Sequence, residues 1–343
     1  MMISGELVKD KIIIQKPKEV GRLFNKSHFG KTLKDNKLEL DLMEGCFLLS
    51  EEKIKIFEKK QEKNFEDLFL FASEKNKDFD VKYLVFKDLR KRGHAVKLYD
   101  EIEGIVFYNL EQSFFVSVFS EKRIFNARET VELVNKIAEK GSLWFAVVDE
   151  EGDVTYYDVS LADLKGSNKA KKYDKKDGLL LDNRVVVFDE VLQKSLFDDE
   201  FFGKPLDSGL QLSYIEGLYL FDKKIIDIKD ANKKTVSRSI FLKKFKHLEP
   251  DFDNRYLVYC DLKNRSLIVK TGFKFGVFFR AYTKNPNKVH AEYLVHVIDK
   301  DFTSVWSEMS RAIRLAHSVN KEIVFACVEK DFIEYIGFGR LRP

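Results

Sequence analysis

YLVFKDLRKRG, from Tyr83 to Gly93, is written again as YLVYCDLKNRS, from Tyr256 to Ser266, 173 positions further on. Working outward, HFGKTL around Gly30 answers FFGKPL around Gly203. LELDLMEGCFLL (Leu38 to Leu49) answers LQLSYIEGLYLF (Leu210 to Phe221), so that Glu44-Gly45 faces Glu216-Gly217. Solenoid units repeat every few tens of residues. A spacing this long describes a duplicated domain pair instead. Each copy is then a control for the other: what both keep is needed for packing, and what only one keeps is a candidate for chemistry.

Bulk properties narrow the class. The chain has 343 residues, enough for two domains or slightly more. Its 31 phenylalanines supply much of the core volume. Charged residues are frequent but nearly balanced, with a net charge of +4, so overall charge does not by itself mark nucleic acid as the partner. No apolar run approaches the ~18 residues of a membrane span. The N-terminal MMISGELVKDKIII carries charges inside its apolar stretch and has no small-residue cleavage site. A cytoplasmic protein with no membrane partner is expected. Cys46, Cys260 and Cys327 are far apart and lack metal-ligand spacing, and they read as buried thiols. No cofactor and no metal site are expected.

The Lys-rich LKGSNKAKKYDKK (Leu164 to Lys176) falls where the copies should join and reads as a linker. The expected division is an N-terminal α+β domain at 1–76, a mixed-sheet domain at 77–163 and a linker at 164–177. A second α+β domain follows at 178–249, and a second mixed-sheet domain at 250–343. In the first domain of each copy, KIIIQ and RVVVF predict strands. Leu38, Leu42, Cys46 and Leu49 recur at helical spacing, and 57–76 and 231–248 read as helical. In the second domain the YLV helix comes first. Strands are predicted at Ile105–Tyr108, Phe114–Phe119, Gly276–Tyr282 and Tyr293–Ile298, and helices at Arg128–Lys140 and Ser304–Val319. The apolar strands LWFAVV and IVFACV come last. This order predicts an α+β, mixed-sheet fold with helix cover.

Subtracting copy one from copy two leaves TGFKFGVFFRAY (Thr271 to Tyr282), KVHAEYLVHV (Lys288 to Val297) and SRAIRLAHSVNKEIVF (Ser310 to Phe325). Copy one has LYDEIEGIVFYNL, EQSFFVSV and ELVNKIAEKGSLWF there. It keeps the apolar skeleton and loses the His and the basic residues. A Tyr, His or Lys taken alone would read as packing or as a solvated side chain. On the helix near Arg314, Val305, Met309, Ala312, Ile313 and Ala316 form an apolar stripe, with Arg311 and Arg314 on the other side.

Taken together in this order, GFKFG, FRAY, HAEYLVHV and RLAHSVNK resemble the signature of the archaeal tRNA-splicing endonucleases, of the two-repeat homodimeric type. YIEGLYLF resembles that family's N-terminal domain, so the likeness spans the chain. The resemblance implies a tRNA-intron lyase that cuts precursor tRNA at intron boundaries, in bulged RNA helices, without metal. It would leave 2′,3′-cyclic phosphate and 5′-hydroxyl ends. It implies Tyr282, His290 and Lys321 as catalytic residues and Arg314 as a clamp on a bulged base, with Arg340 or Arg342 as a second clamp. The chemistry suits these types: an imidazole titrating near neutrality serves as acid, and a compact ammonium meets the charge of the phosphorane. A phenol with a pKa of about 10 needs neighbouring cations to act as base. Arg280, Lys274 and Lys321 are the candidates for that role and for holding RNA. Two departures from the family pattern stand out: only seven residues separate Tyr282 from His290, and Asn320 occupies a place expected to be basic.

Copy one offers VVDEEGDVTYY, which sets Asp149, Glu150, Glu151 and Asp153 on a Gly turn between two strands. An ordinary charged hairpin is one reading. The resemblance implies another, an acidic loop docking in a basic pocket of a partner's catalytic copy, and with it a homodimer with two active sites. Two rival functions stay open at this point. One is a non-catalytic RNA-binding or assembly subunit of a splicing endonuclease. The other is a metal-dependent nuclease, for which Glu292 and Glu322 are the nearby carboxylates.

Overall fold

The two YLV segments form matching helices, Phe79–Lys91 and Phe252–Asn264. Their shared Asp and Arg explain why both copies keep them. Asp88 accepts a hydrogen bond from the Tyr156 hydroxyl at 2.8 Å and pairs with Arg92 at 2.8 Å. Asp261 does the same with Tyr335 at 2.7 Å and Arg265 at 2.6 Å. Each helix is thereby tied to the last strand of its own repeat. The computed structural model describes residues 2–109, 111–249 and 251–343. Leu110, at the end of the copy-one segment LYDEIEGIVFYNL, and Pro250, where the last domain is expected to start, lie outside the described residues.

Each repeat opens with a small sheet. The first has six strands in the order Lys31–Thr32, Leu38–Leu40, Lys11–Ile14, Ile3–Val8, Ile54–Glu58 and Gln61–Lys63. The second has five, in the order Lys204–Leu206, Gly209–Ser213, Arg184–Val187, Lys176–Leu180 and Ile226–Lys229. The repeated Glu-Gly lies on helices Leu42–Ser50 and Tyr214–Asp222. Glu44 and Glu216 close capping boxes with Asp41 and Ser213. They also accept the Gly30 and Gly203 N–H at 2.8 and 3.0 Å. Both glycines have positive φ, and a Cβ there would meet a carbonyl oxygen at 2.5 Å or less. Lys97 and Lys270 cap the carbonyls of the same glycines at 2.7 and 2.8 Å. FGK and EG are thus one structural lock, present twice.

Several expected elements are shorter or different. Leu38 lies in a strand, because the Asp41 cap delays the helix to Leu42. Residues 57–63 complete a hairpin turning at Lys59 and Lys60, both at positive φ, and only Phe65–Lys75 is helical. In the second copy the helix is Arg238–Leu248, capped by Ser237. The strand expected from Gly276 is Phe279–Tyr282, preceded by a 3-10 turn at Phe273–Phe275. The one expected at Ile105–Tyr108 is Phe107–Asn109.

The second halves of the repeats share a ten-stranded sheet. Its order is Ile268–Thr271, Phe279–Tyr282, Tyr293–Asp299, Glu322–Glu329, Phe332–Leu341, then Val154–Leu161, Ser142–Val148, Phe114–Ser120, Phe107–Asn109 and Val96–Leu98. The junction is the antiparallel pair Phe332–Leu341 with Val154–Leu161. Leu143 pairs with Val159, and its equivalent Ile323 pairs with Phe338, so Val159 and Phe338 are themselves equivalent. They also pair with each other. A pseudo-twofold axis therefore runs between them. The small ribbon of Ile124–Asn126 with Thr303–Val305 obeys the same axis through Phe125 and Ser304.

Helices Ala127–Ile137 and Trp306–Ser318 cover one face near the axis and bury a core drawn from both repeats. Trp306, absent from the expected stripe, is that core's anchor. It lies against Phe119, Phe125, Phe145 and Tyr157 of the other repeat. Val305, placed in the stripe by spacing, is instead the exposed residue that starts the helix. The repeats are further joined by Arg128, which pairs with Asp301 at 2.7 Å and Glu329 at 3.1 Å.

Candidate active site

Sheet register brings the copy-two remainder to one end of three adjacent strands. Ala281 pairs with Tyr293, and Tyr293 pairs with Glu322. Tyr282 follows Ala281, and Lys321 precedes Glu322. The strand Phe279–Tyr282 runs antiparallel to the middle strand, and Glu322–Glu329 runs parallel to it. Tyr282 and Lys321 therefore leave the sheet at the same end, two strand spacings or about 10 Å apart along the row. His290 lies three residues before Tyr293 in the loop at that end and is exposed. Its neighbours Val289 and Ala291 pack in one small cluster with Tyr282, Ile268 and Phe201.

The turn Phe273–Phe275 closes the group. The Lys321 ammonium lies 5.7 Å from the centre of the Phe275 ring. Lys274 in the same turn is exposed. The Arg280 guanidinium lies 5.7 Å from the centre of the Tyr282 ring, and its Nε is buried without a hydrogen-bond partner. Of the cations considered beside Tyr282, Arg280 is thus the one that faces its ring. Glu292 is already engaged: its two oxygens accept the Thr283 N–H and hydroxyl at 3.0 and 2.7 Å. It fixes the strand end that carries Tyr282, a role that spacing did not reveal.

Repeat one lacks this cluster because its loop is shorter and its strand end is closed. Between the paired residues Ala281 and Tyr293, repeat two carries eleven residues; between the equivalent pair Asn109 and Phe114, repeat one carries four. The missing stretch includes the His290 loop. At the Lys321 position stands Gly141, where a Cβ would lie 2.0 Å from the Ser113 carbonyl oxygen. The backbone occupies the space that a lysine would need.

Arg314 is exposed on helix Trp306–Ser318, its Nε 3.4 Å from the Ser310 carbonyl. Arg340 is exposed on the last strand, paired with Tyr157 of the first repeat. Burial raises the Tyr157 hydroxyl pKa, opposed by Ser310 and by the charges of Arg314 and Arg340. Arg342 is exposed beyond the strand.

A cleft of about 840 Å³ separates the second small sheet from the catalytic half. Arg184, Lys204, Arg255, Lys270 and Arg280 line it against two acids, Glu216 and Glu249. Arg255 Nε, Arg280 Nε and the Tyr259 hydroxyl are buried there without partners. Burial in this cleft, with Arg255 beside it, pushes the His296 pKa down.

The acidic hairpin lies in the first repeat, between Ser142–Val148 and Val154–Leu161. Asp149 shapes it, accepting the Glu151 and Asp153 N–H at 3.0 and 2.9 Å. Glu150 pairs with Lys122. Glu151 and Asp153 remain exposed.

Fold and site together define a duplicated mixed α/β protein in which one repeat keeps a Tyr-His-Lys strand end and the other has closed it. Residues 252–335 match the profile of the tRNA intron endonuclease catalytic C-terminal domain. Residues 3–69 and 177–242 match that of the tRNA intron endonuclease N-terminal domain. The chain is 36% identical to the tRNA-splicing endonuclease of Methanococcoides burtonii, over 99% of this chain and 100% of that one. It is also 36% identical to that of Methanosarcina barkeri, over 99% and 100%. The tRNA-splicing endonuclease of Methanococcus maripaludis is 36% identical over 48% of this chain and 93% of its own length, so that relative matches about half of the present chain. The chain belongs to the tRNA intron endonuclease family, in its long form with a duplicated N-terminal domain. It is an enzyme of tRNA splicing, with the catalytic domain present.

Proposed function

We propose that Tyr282, His290 and Lys321 carry out metal-independent transesterification of precursor tRNA at intron boundaries. Tyr282 takes the proton of the ribose 2′-hydroxyl. The 2′-oxygen forms a bond to the adjacent phosphorus and the bond to the 5′-oxygen breaks. His290, as imidazolium, protonates that leaving oxygen. Lys321 balances the charge of the phosphorane. The ends left are a 2′,3′-cyclic phosphate and a 5′-hydroxyl. The observation that supports this reading is the shared strand end: in one repeat all three residues lie at the same end of adjacent strands, while the other lacks both loop and lysine.

Arg314 is proposed to stack on an unpaired base, with Arg340, on the strand paired with Tyr157, as its partner. Lys274 and Arg280 face RNA phosphates. In this reading 250–343 is the catalytic unit and 77–163 its inactive counterpart. The small α+β units are 1–76 and 178–249, joined through 164–177, and the protein works in the cytoplasm. Two chains form a homodimer, the acidic hairpin of each docking in the basic cleft of the other. Five cations against two acids in that cleft, and its unpartnered donors, suit an acidic loop.

The test is cleavage of a bulged RNA hairpin in excess EDTA, with analysis of the product ends. Full activity and cyclic-phosphate ends are expected. Loss of activity in EDTA, or 3′-hydroxyl ends, would exclude the mechanism.

A further inference from the structure

The segment expected to be a plain linker is pinned along its length against the catalytic repeat. Leu164 is fully buried in that repeat's core. The Gly166 and Asn168 N–H groups donate to the Arg265 and Ser266 carbonyls at 2.9 and 3.0 Å. At Gly166 a Cβ would lie 2.0 Å from the Ser266 carbonyl oxygen, so this path needs glycine. Ser167 donates both its N–H and its hydroxyl to the Thr283 carbonyl, each at 3.0 Å. Further on, the Lys171 N–H and the Tyr173 hydroxyl donate to Glu200 at 3.2 and 2.7 Å. Ordering a backbone costs about 1–2 kcal/mol per residue, and a mere tether gains nothing from it.

The strap passes beside the reacting strand end, because Thr283 is the residue after Tyr282. Its lysines fall into two sets. Lys165, Lys171 and Lys175 are neutralised by Asp163, Asp199 and Asp227, each at 2.7 Å, and Lys176 by Asp189 at 3.1 Å. Lys169 and Lys172 are exposed and make no ion pair among the described residues. Lys169 is two residues from Ser167, within about 7 Å along the backbone. Lys284 and Lys288, in the loop leading to His290, are likewise exposed. The strap lies between the two matched N-terminal segments, outside every family match.

We propose that this strap is a phosphate-binding rail of the active site, with Lys169 and Lys172 gripping the RNA backbone next to the cut. The inference rests on the reading of this strand end as the RNA-cleaving site. Hydrogen bonds to Arg265, Ser266, Thr283 and Glu200 fix the backbone from which the two lysines project, so the rail is in place before RNA arrives.

The experiment measures binding of a bulged RNA hairpin across a salt series, for wild type, K169Q/K172Q and the charge-matched control K59Q/K60Q. Lys59 and Lys60 lie on a hairpin turn of the first small sheet. Losing two phosphate contacts should lower the salt slope by roughly 1.4–1.8 and weaken binding about tenfold at low salt, with the control unmoved. A strap variant indistinguishable from the control overturns the rail and leaves the proposed function standing. A wild-type chain that binds no bulged RNA overturns the proposed function, and the rail with it.

Discussion

At the scale of single residues, the duplication separates what packs from what reacts. Asp88 and Asp261 anchor a tyrosine in each repeat, and Glu44 and Glu216 lock a glycine turn in each, so these polar groups are structural. One difference between the locks has a consequence for stability. Repeat one caps its helix with Asp41 where repeat two uses Ser213. Burial, with the Asp41 carboxylate next to it, pushes Glu44 up to about 8. A carboxyl whose folded pKa lies above its unfolded value favours the fold at low pH. That contribution is lost as pH rises from about 4.5 through about 8. Burial is the larger cause and stays, so Asp41→Ser should remove only part of this loss, raising stability at pH 8 relative to pH 5 by about 1 kcal/mol compared with wild type. Urea denaturation at the two pH values checks it; equal pH dependence in both proteins would show that the pair is not strained.

At the scale of elements, the strand end proposed to be active is held by residues behind Tyr282. Glu292 holds Thr283 from one side and Ser167 from the other. Glu292→Ala should slow single-turnover cleavage by about 10- to 100-fold through misplacement of Tyr282, with RNA affinity nearly unchanged. A loss of affinity without a loss of rate would assign Glu292 to binding instead. The motif-bearing segments were legible in the sequence, since repeat one shows what the scaffold looks like without them. The short strands, the hairpin at 54–63 and the roles of Thr283 and Glu292 were not. They depend on register across the sheet and on turns at positive φ in Lys59 and Lys60, residues with no turn signature. Trp306 is in helical step with Met309, Ile313 and Ala316, so periodicity admits it to the stripe; that the rings around it belong to the other repeat is what spacing does not report. Trp306→Ala should cost about 3–5 kcal/mol by emptying the shared core, measured by denaturant unfolding.

At the scale of the whole molecule, the pseudo-twofold axis through Val159 and Phe338 makes one chain resemble a dimer of repeats. One half carries the strand end proposed to react and the other presents the acidic hairpin. If that hairpin docks in the cleft of a second chain, Glu151→Lys with Asp153→Lys should shift sedimentation from dimer to monomer. A monomeric wild type would remove the docking role. The likeness to the tRNA intron endonucleases was readable from motif order alone, whereas the cleft, built where two consecutive domains pack together, was not.

The central claim is that chemistry resides in one repeat only. Its most direct test is single-turnover cleavage of a bulged precursor tRNA by His290→Ala, Lys321→Ala and, in the shortened loop of the other repeat, Glu111→Ala. The account predicts losses on the order of 10²–10⁴ for each of the first two and none for the third. Full activity in His290→Ala, or a comparable loss in Glu111→Ala, would contradict it.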